Sequence, residues 1–405
     1  MGHEPPPTWA EQRAGLAAEL AGIAGTSRRV RPLIESPDGR VIALRTDHGR
    51  QKLVNWASND YLGMTGEIRV ANEARRCLRS WGAGAGAARL LAGGLAVHRR
   101  LERRLATFLG TQDVLLTGTG YQANLAALTT LASDPEHVLI LDRLCHASTY
   151  DGAKLAAGTF LRFRHNDLDD LDTALRRTVG APRRIVCVES VYSMDGDEAP
   201  LVAILERCRT HGALLVVDEA HALGVFGPGG RGRCAELGIV PDLIVGTCSK
   251  SLGSQGGFLA GDSDLIELAV NRARSFIFST APAPAIVGAA LGALDLLADK
   301  PHLPGELLTL AATLREGLTA QGWNVPAGRS PIVPVIVGDE AAALDLAARL
   351  RVLGHHAPAI RPPTVPPGSC RLRLTVTAAH RPKDVRLLLA AFAGLRPGAE
   401  AGAVG

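Results

Sequence analysis

The amino-acid sequence predicts an α/β fold: a mostly parallel, doubly wound sheet in a large domain, followed by a smaller C-terminal α/β domain. Three observations carry that prediction. From Asp113 to Gly261, short apolar runs of strand length alternate with helical patterns. Each run ends in a polar segment, as the buried strands of a parallel sheet do at their carboxyl edge. Beyond about residue 291 the alternation resumes on a smaller scale.

The chain has 405 residues, 46% hydrophobic and 21% charged, which suits a globular protein with a full core. We divide it into an N-terminal helix and hairpin segment (1–57), a large domain (58–290), a small domain (291–395) and a flexible tail (396–405). A net charge of +4 is too diffuse for a nucleic-acid surface. The densest basic cluster, Arg28 to Arg31, reads as a solvated face or a contact for an anionic substrate. Seven cysteines form no C-x-x-C pair and no His cluster joins them, which argues against a metal site and for a reducing cytoplasm. Met1–Glu11 has no apolar secretory core. The longest uncharged apolar stretch, Ala281–Leu294, is too short to span a membrane.

Leu16, Leu20 and Ile23 give Trp9–Ala24 a helical spacing, and Pro32, Pro37 and Asp38-Gly39 then break the chain. Val41–Leu44 and Leu53–Trp56 read as a hairpin around Asp47–Gly49. Ser58–Gly63 is a turn, and Arg69–Trp81 and Ala96–Leu109 are helices. Gly82–Ala87 matches a loose dinucleotide fingerprint, but a helix precedes it where a strand is needed, so a dinucleotide oxidoreductase is disfavoured.

Val114–Leu116 leads into Thr117-Gly-Thr-Gly120-Tyr121 and a helix to about Leu131, a start that can hold a phosphate with backbone N–H groups. Val138–Leu141 leads to His146, Ile185–Val188 to Ser193, and Leu214–Val217 to Asp218 and His221. A long helix follows Pro284. Helix Leu307–Gln321, strand Ile332–Val337, helix Ala341–Leu353, strand Cys370–Thr375 and helix Pro382–Leu395 complete the small domain, with Ile360–Pro367 as a stiff linker. Arg371 and Arg373 share one face of their strand, either toward solvent or with one clamping a substrate carboxylate.

The chemistry reads most clearly between Asp242 and Gly261, where two apolar runs enclose a Gly-rich turn carrying Lys250. Asp218 lies about one strand–helix–strand unit earlier, so neighbouring parallel strands put both groups along one sheet edge. A carboxylate at one end of a site and a Schiff-base lysine at the other is what pyridoxal phosphate requires. His146 is either a loop histidine or a ring that stacks on a flat cofactor. His221 is either a packed polar ring or a donor to the cofactor. Ser193 and Thr247 are turn residues or bond its oxygens.

With its motifs Ser-Asn-Asp-Tyr-Leu-Gly at 58–63, His-Ala-Ser at 146–148, Ser-Met-Asp-Gly-Asp at 193–197, Asp-Glu-Ala-His at 218–221 and Thr-Cys-Ser-Lys at 247–250, the chain resembles the α-oxoamine synthases, a family of fold-type-I pyridoxal phosphate transferases. His165-Asn-Asp167, Ile336–Asp339, Ile360–Pro366 and Arg371–Thr375 make it most similar to the branch that forms 8-amino-7-oxononanoate in the biotin pathway. The resemblance implies that Lys250 carries the cofactor and moves the substrate proton. It implies that Asp218 pairs with the pyridine nitrogen, that His146 stacks on the ring at the catalytic centre, and that Ser193 and His221 contact ring substituents. Gly120, Tyr121 and Thr247 would surround the phosphate, Arg373 would hold the amino-acid carboxylate, and Asn59, Thr364 and Arg28 would face substrate. It further implies L-alanine and a pimeloyl thioester as substrates and a cytoplasmic homodimer with shared active sites. Ala87-Ala88 before Arg89 and Ala92-Gly93 after it depart from the family pattern and bear on the acyl-chain entrance. Two rivals within the fold are a relative that condenses glycine or serine with another acyl group and a silent partner subunit; Lys250 argues against the second.

Overall fold

A computed structural model describes residues 7–23, 32–37, 39–46 and 49–395. Its centre is a seven-stranded sheet in the order Asp113–Thr117, Gly257–Gly261, Leu243–Thr247, Leu214–Asp218, Arg184–Glu189, Val138–Asp142 and Thr159–Phe163. Only Gly257–Gly261 runs against its neighbours. Side chains alternate across a strand, and here both faces are covered. Leu139, Leu141, Ile185, Cys187 and Val216 enter one core, while Ile140, Val186, Val188, Leu215 and Val217 enter another. That double burial explains why these strands read as unbroken apolar runs.

A second, antiparallel sheet of Ile332–Gly338, Cys370–Thr375 and Ala359–Ile360 packs with helices Leu303–Ala320, Glu340–Val352 and Pro382–Gly394. A third sheet joins Leu33–Pro37, Val41–Thr46 and Gly49–Asn55 to the two-residue strand His355–His356. The prolines that were expected to break the chain at 32–37 instead bracket an edge strand, where a missing N–H does no harm. The strand Thr159–Phe163 has no apolar run to announce it, because it is the sheet's edge and three of its five side chains are exposed. Helix Trp9–Gly22 forms behind a Thr8–Glu11 capping box, yet none of its residues is buried. All seven cysteines are buried free thiols. No helix among the described residues is long and apolar enough to cross a membrane.

Candidate active site

Lys250 follows the strand Leu243–Thr247, and Asp218 ends that strand's parallel neighbour. Both line a cavity of about 220 Å³ at the carboxyl edge of the large sheet. Asp218 is held in place: Oδ2 accepts from Asn124 Nδ2 at 2.8 Å and Oδ1 from the Ala220 N–H at 2.8 Å. The register sets Glu189 directly beside it. Burial, aided by the charge of Asp218, pushes the Glu189 carboxyl up to about 8, and one of its oxygens accepts the His146 N–H. The Lys250 amine moves the other way. Burial pulls it down to about 8 against the attraction of Asp218 and Glu189. A lysine in that range is available as a neutral nucleophile and base near neutral pH.

His146 caps the helix Ala147–Leu155, with Nδ1 accepting the Ser148 N–H at 3.2 Å, and its ring remains open to the cavity. Asn124 Nδ2 also donates to Ser148 Oγ at 3.0 Å, so one amide ties Asp218 to the His146 turn. His221 is buried at the cavity wall, and burial holds its ring well below the usual histidine range, hence neutral. Its Nδ1 lies 2.5 Å from the hydroxyl of Tyr61, which burial keeps protonated by raising it to about 12.

At the other end, Thr119 caps the helix Gly120–Leu131 by accepting the Gln122 N–H at 3.1 Å. The first N–H groups, from Gly120 and Tyr121, have no partner within the helix and meet the cavity. The helix start sits hard against the sheet: a Cβ on Gly257 would stand 2.4 Å from the Thr119 carbonyl oxygen. Thr247 donates its hydroxyl to the Gly256 carbonyl at 2.8 Å, and Ser249 Oγ lies 2.7 Å from that same hydroxyl. Ser249 is exposed on the cavity wall and completes the set of hydroxyls there. Tyr121 lines the cavity with its hydroxyl donating to Asp151.

Arg373 does not face solvent; it is 6% exposed. Its Nε donates to the Ser193 carbonyl, and Nη1 donates to Asn59 Oδ1 at 3.2 Å and Thr375 Oγ1 at 3.0 Å. Arg371 is as buried and pairs with Asp195. Ser193 and Asn59 therefore act on Arg373, one through its carbonyl, and neither lines the cavity. Thr364 is exposed on the Pro-rich segment, away from the cavity lining. Arg28 lies outside the described residues. Glu189, Asn124, Ser148 and Ser249 join the site without having been singled out from the sequence.

This donor set fits pyridoxal phosphate: a fixed carboxylate for the pyridine nitrogen, a lysine for the aldehyde, a helix start with hydroxyls for the phosphate, and an open imidazole for the ring face.

The family model for aminotransferase class I and II matches residues 51–392. An 8-amino-7-oxononanoate synthase of Anaeromyxobacter dehalogenans is 44% identical over 95% of each chain. The 8-amino-7-oxononanoate synthase 2 of Bacillus subtilis is 37% identical over 95% of this chain and 96% of its own. Among solved structures, the serine palmitoyltransferase of Sphingomonas wittichii superposes with a TM-score of 0.88 at 32% identity, covering 96% of this chain and 98% of that one. The 8-amino-7-oxononanoate synthase of Francisella tularensis, at 22% identity, shares the fold with a TM-score of 0.73 over 84% of this chain and 97% of its own. The chain belongs to the aminotransferase class I and II family, on its α-oxoamine synthase branch.

Proposed function

We propose that this chain condenses L-alanine with a pimeloyl thioester, of coenzyme A or of acyl carrier protein, releasing carbon dioxide and the free thiol and giving 8-amino-7-oxononanoate for biotin synthesis. The observation that carries the reading is the pairing of Lys250 with Asp218 in one cavity, with Arg373 near enough for its charge to act on Lys250 and His221. The extent of identity to 8-amino-7-oxononanoate synthases supports L-alanine over glycine or L-serine.

When bound, pyridoxal phosphate supplies an aldehyde for an imine and a ring that draws electrons from the substrate α-carbon. Asp218 holds a proton at the pyridine nitrogen. Arg373 grips the amino-acid carboxylate and so fixes the direction of the Cα–H bond. Lys250 Nζ takes the α-proton and later returns one to the product, a role its lowered basicity suits. His146 covers the ring face, and neutral His221 donates to a ring oxygen from the nitrogen that Tyr61 leaves free. The Gly120 and Tyr121 N–H groups and the Ser249 hydroxyl would hold the phosphate, while Thr247, whose proton goes to the Gly256 carbonyl, would position Ser249. The protein works as a cytoplasmic homodimer.

Lys250→Ala tests this reading. The purified variant should lack the visible band of a lysine-bound cofactor and lose turnover by roughly 10³-fold or more, the scale of a removed acid–base group. Turnover within about tenfold of the parent would contradict it.

A further inference from the structure

His165 is half-buried, away from the cavity lining, and nothing above gives it a task. Its surroundings are unusual. Nδ1 faces Asp142 Oδ1 at 3.0 Å, and Nε2 faces Asp197 Oδ2 at 2.7 Å. A neutral imidazole has one N–H and can satisfy one such acceptor; two carboxylates on opposite edges call for the imidazolium. Burial opposes that charge, but the hydrogen bonds to Asp142 and Asp197 outweigh it and hold the ring up to about 9. The Tyr192 ring packs edge-on at 4.4 Å and closes the third side.

The two carboxylates belong to different turns. Asp142 Oδ1 also accepts the Leu144 N–H at 2.8 Å, in the turn that presents His146. Asp197 closes the turn Tyr192–Asp197, its carbonyl accepting the Tyr192 N–H at 3.0 Å. Asn166 repeats the link, its N–H on Asp142 and its amide on Asp197 at 3.0 Å. The same 192–197 turn carries the Ser193 carbonyl that holds Arg373 and the Asp195 carboxylate that holds Arg371. Gly196 meets the small domain as well, its carbonyl accepting from Ser330 Oγ at 2.6 Å.

We propose that His165 is a positioning residue for substrate carboxylate recognition: as an imidazolium it staples the 192–197 turn to the sheet edge, and through Ser193 it fixes the guanidinium of Arg373. The inference rests on Arg373 being the carboxylate clamp, as read above.

The test compares L-alanine with L-alaninol, which keeps the amine and lacks the carboxylate, by titrating the visible band of the holoenzyme. His165→Asn should weaken L-alanine binding by about tenfold, lift the L-alanine KM by a similar factor with kcat changed less than about threefold, and leave L-alaninol affinity within about twofold. Asp197→Asn, which keeps the size and the acceptor, should show the same selectivity and decides the matter if His165→Asn does not fold. Equal losses for both ligands, or no loss for either, would overturn the role of His165. Arg373→Gln separates the two readings. If it discriminates the ligands while the His165 and Asp197 variants do not, only the positioning role falls. If Arg373→Gln does not discriminate, the clamp assignment falls and takes this inference with it.

Discussion

Glu189 and Asp218 end adjacent strands in register, side by side in the wall of one cavity. Burial raises Glu189 from 4.5 to about 8, so the folded protein keeps a proton there that the unfolded chain has lost over that interval. A raised carboxyl pKa contributes stability that is full below about 4.5 and fades as pH rises through about 8. The thermal midpoint of the cofactor-free protein should therefore fall relative to that of Glu189→Gln as pH goes from 4.5 to 8. A difference independent of pH would show that Glu189 is ionised throughout. At this scale the sequence was legible wherever a reactive group ended an apolar strand, which is how Lys250, Asp218, His146 and His221 stand out. Glu189 carries the same signal at the end of Ile185–Val188 and could have been found by it. Asn124 could not, because it reaches Asp218 from the second turn of a helix, and no spacing in the chain records that approach. Arg373 shows a different limit. Alternation places Arg371 and Arg373 on one face, but every residue of Cys370–Thr375 is buried, so alternation cannot say which side is solvent.

On the proposed reading, the phosphate end depends on the junction between the helix Gly120–Leu131 and the strands Leu243–Thr247 and Gly257–Gly261. Gly257 lets the helix start touch the sheet: its missing Cβ would lie 2.4 Å from the Thr119 carbonyl oxygen and 2.6 Å from Gly120 Cα, both backbone atoms with nowhere to go. Gly257→Ala should push the helix start off the sheet. Overpacking of this kind costs about 1–3 kcal/mol, and we expect cofactor affinity to fall by roughly tenfold, measured by fluorescence on reconstitution. Unchanged affinity would mean that the helix start does not hold the phosphate. The strand and helix pattern here was readable because turn glycines and N-cap hydroxyls punctuate it. The edge strand Thr159–Phe163 was not, since half-exposed side chains erase the apolar run that a buried strand displays.

Across the whole molecule, the N-terminal strands are built onto the C-terminal part of the chain. Gly49–Asn55 takes His355–His356 as its parallel neighbour, and the Trp56 carbonyl accepts the Thr375 N–H at 2.8 Å. A two-residue strand leaves no pattern in a sequence, so this closure was invisible until the fold was known. Large apolar side chains stay open near the segment Gly82–Ala87: Leu91 is 78% exposed and Phe278 71%, on either side of the Ala88–Thr280 bridge. A surface of that kind suits a second copy of the chain, and sedimentation should show a dimer that Leu91→Asp with Phe278→Asp dissociates; a parent protein that sediments as a monomer would contradict this. The most direct test of the proposed reaction is an absorbance titration of the holoenzyme with L-alanine, glycine and L-serine, followed by pimeloyl thioester. A shift with L-alanine alone, and free thiol released when the thioester is added, is the expected result. A shift with glycine or L-serine in its place, or no thiol from the pimeloyl thioester, would leave the fold and the cofactor standing and contradict the assignment to biotin synthesis.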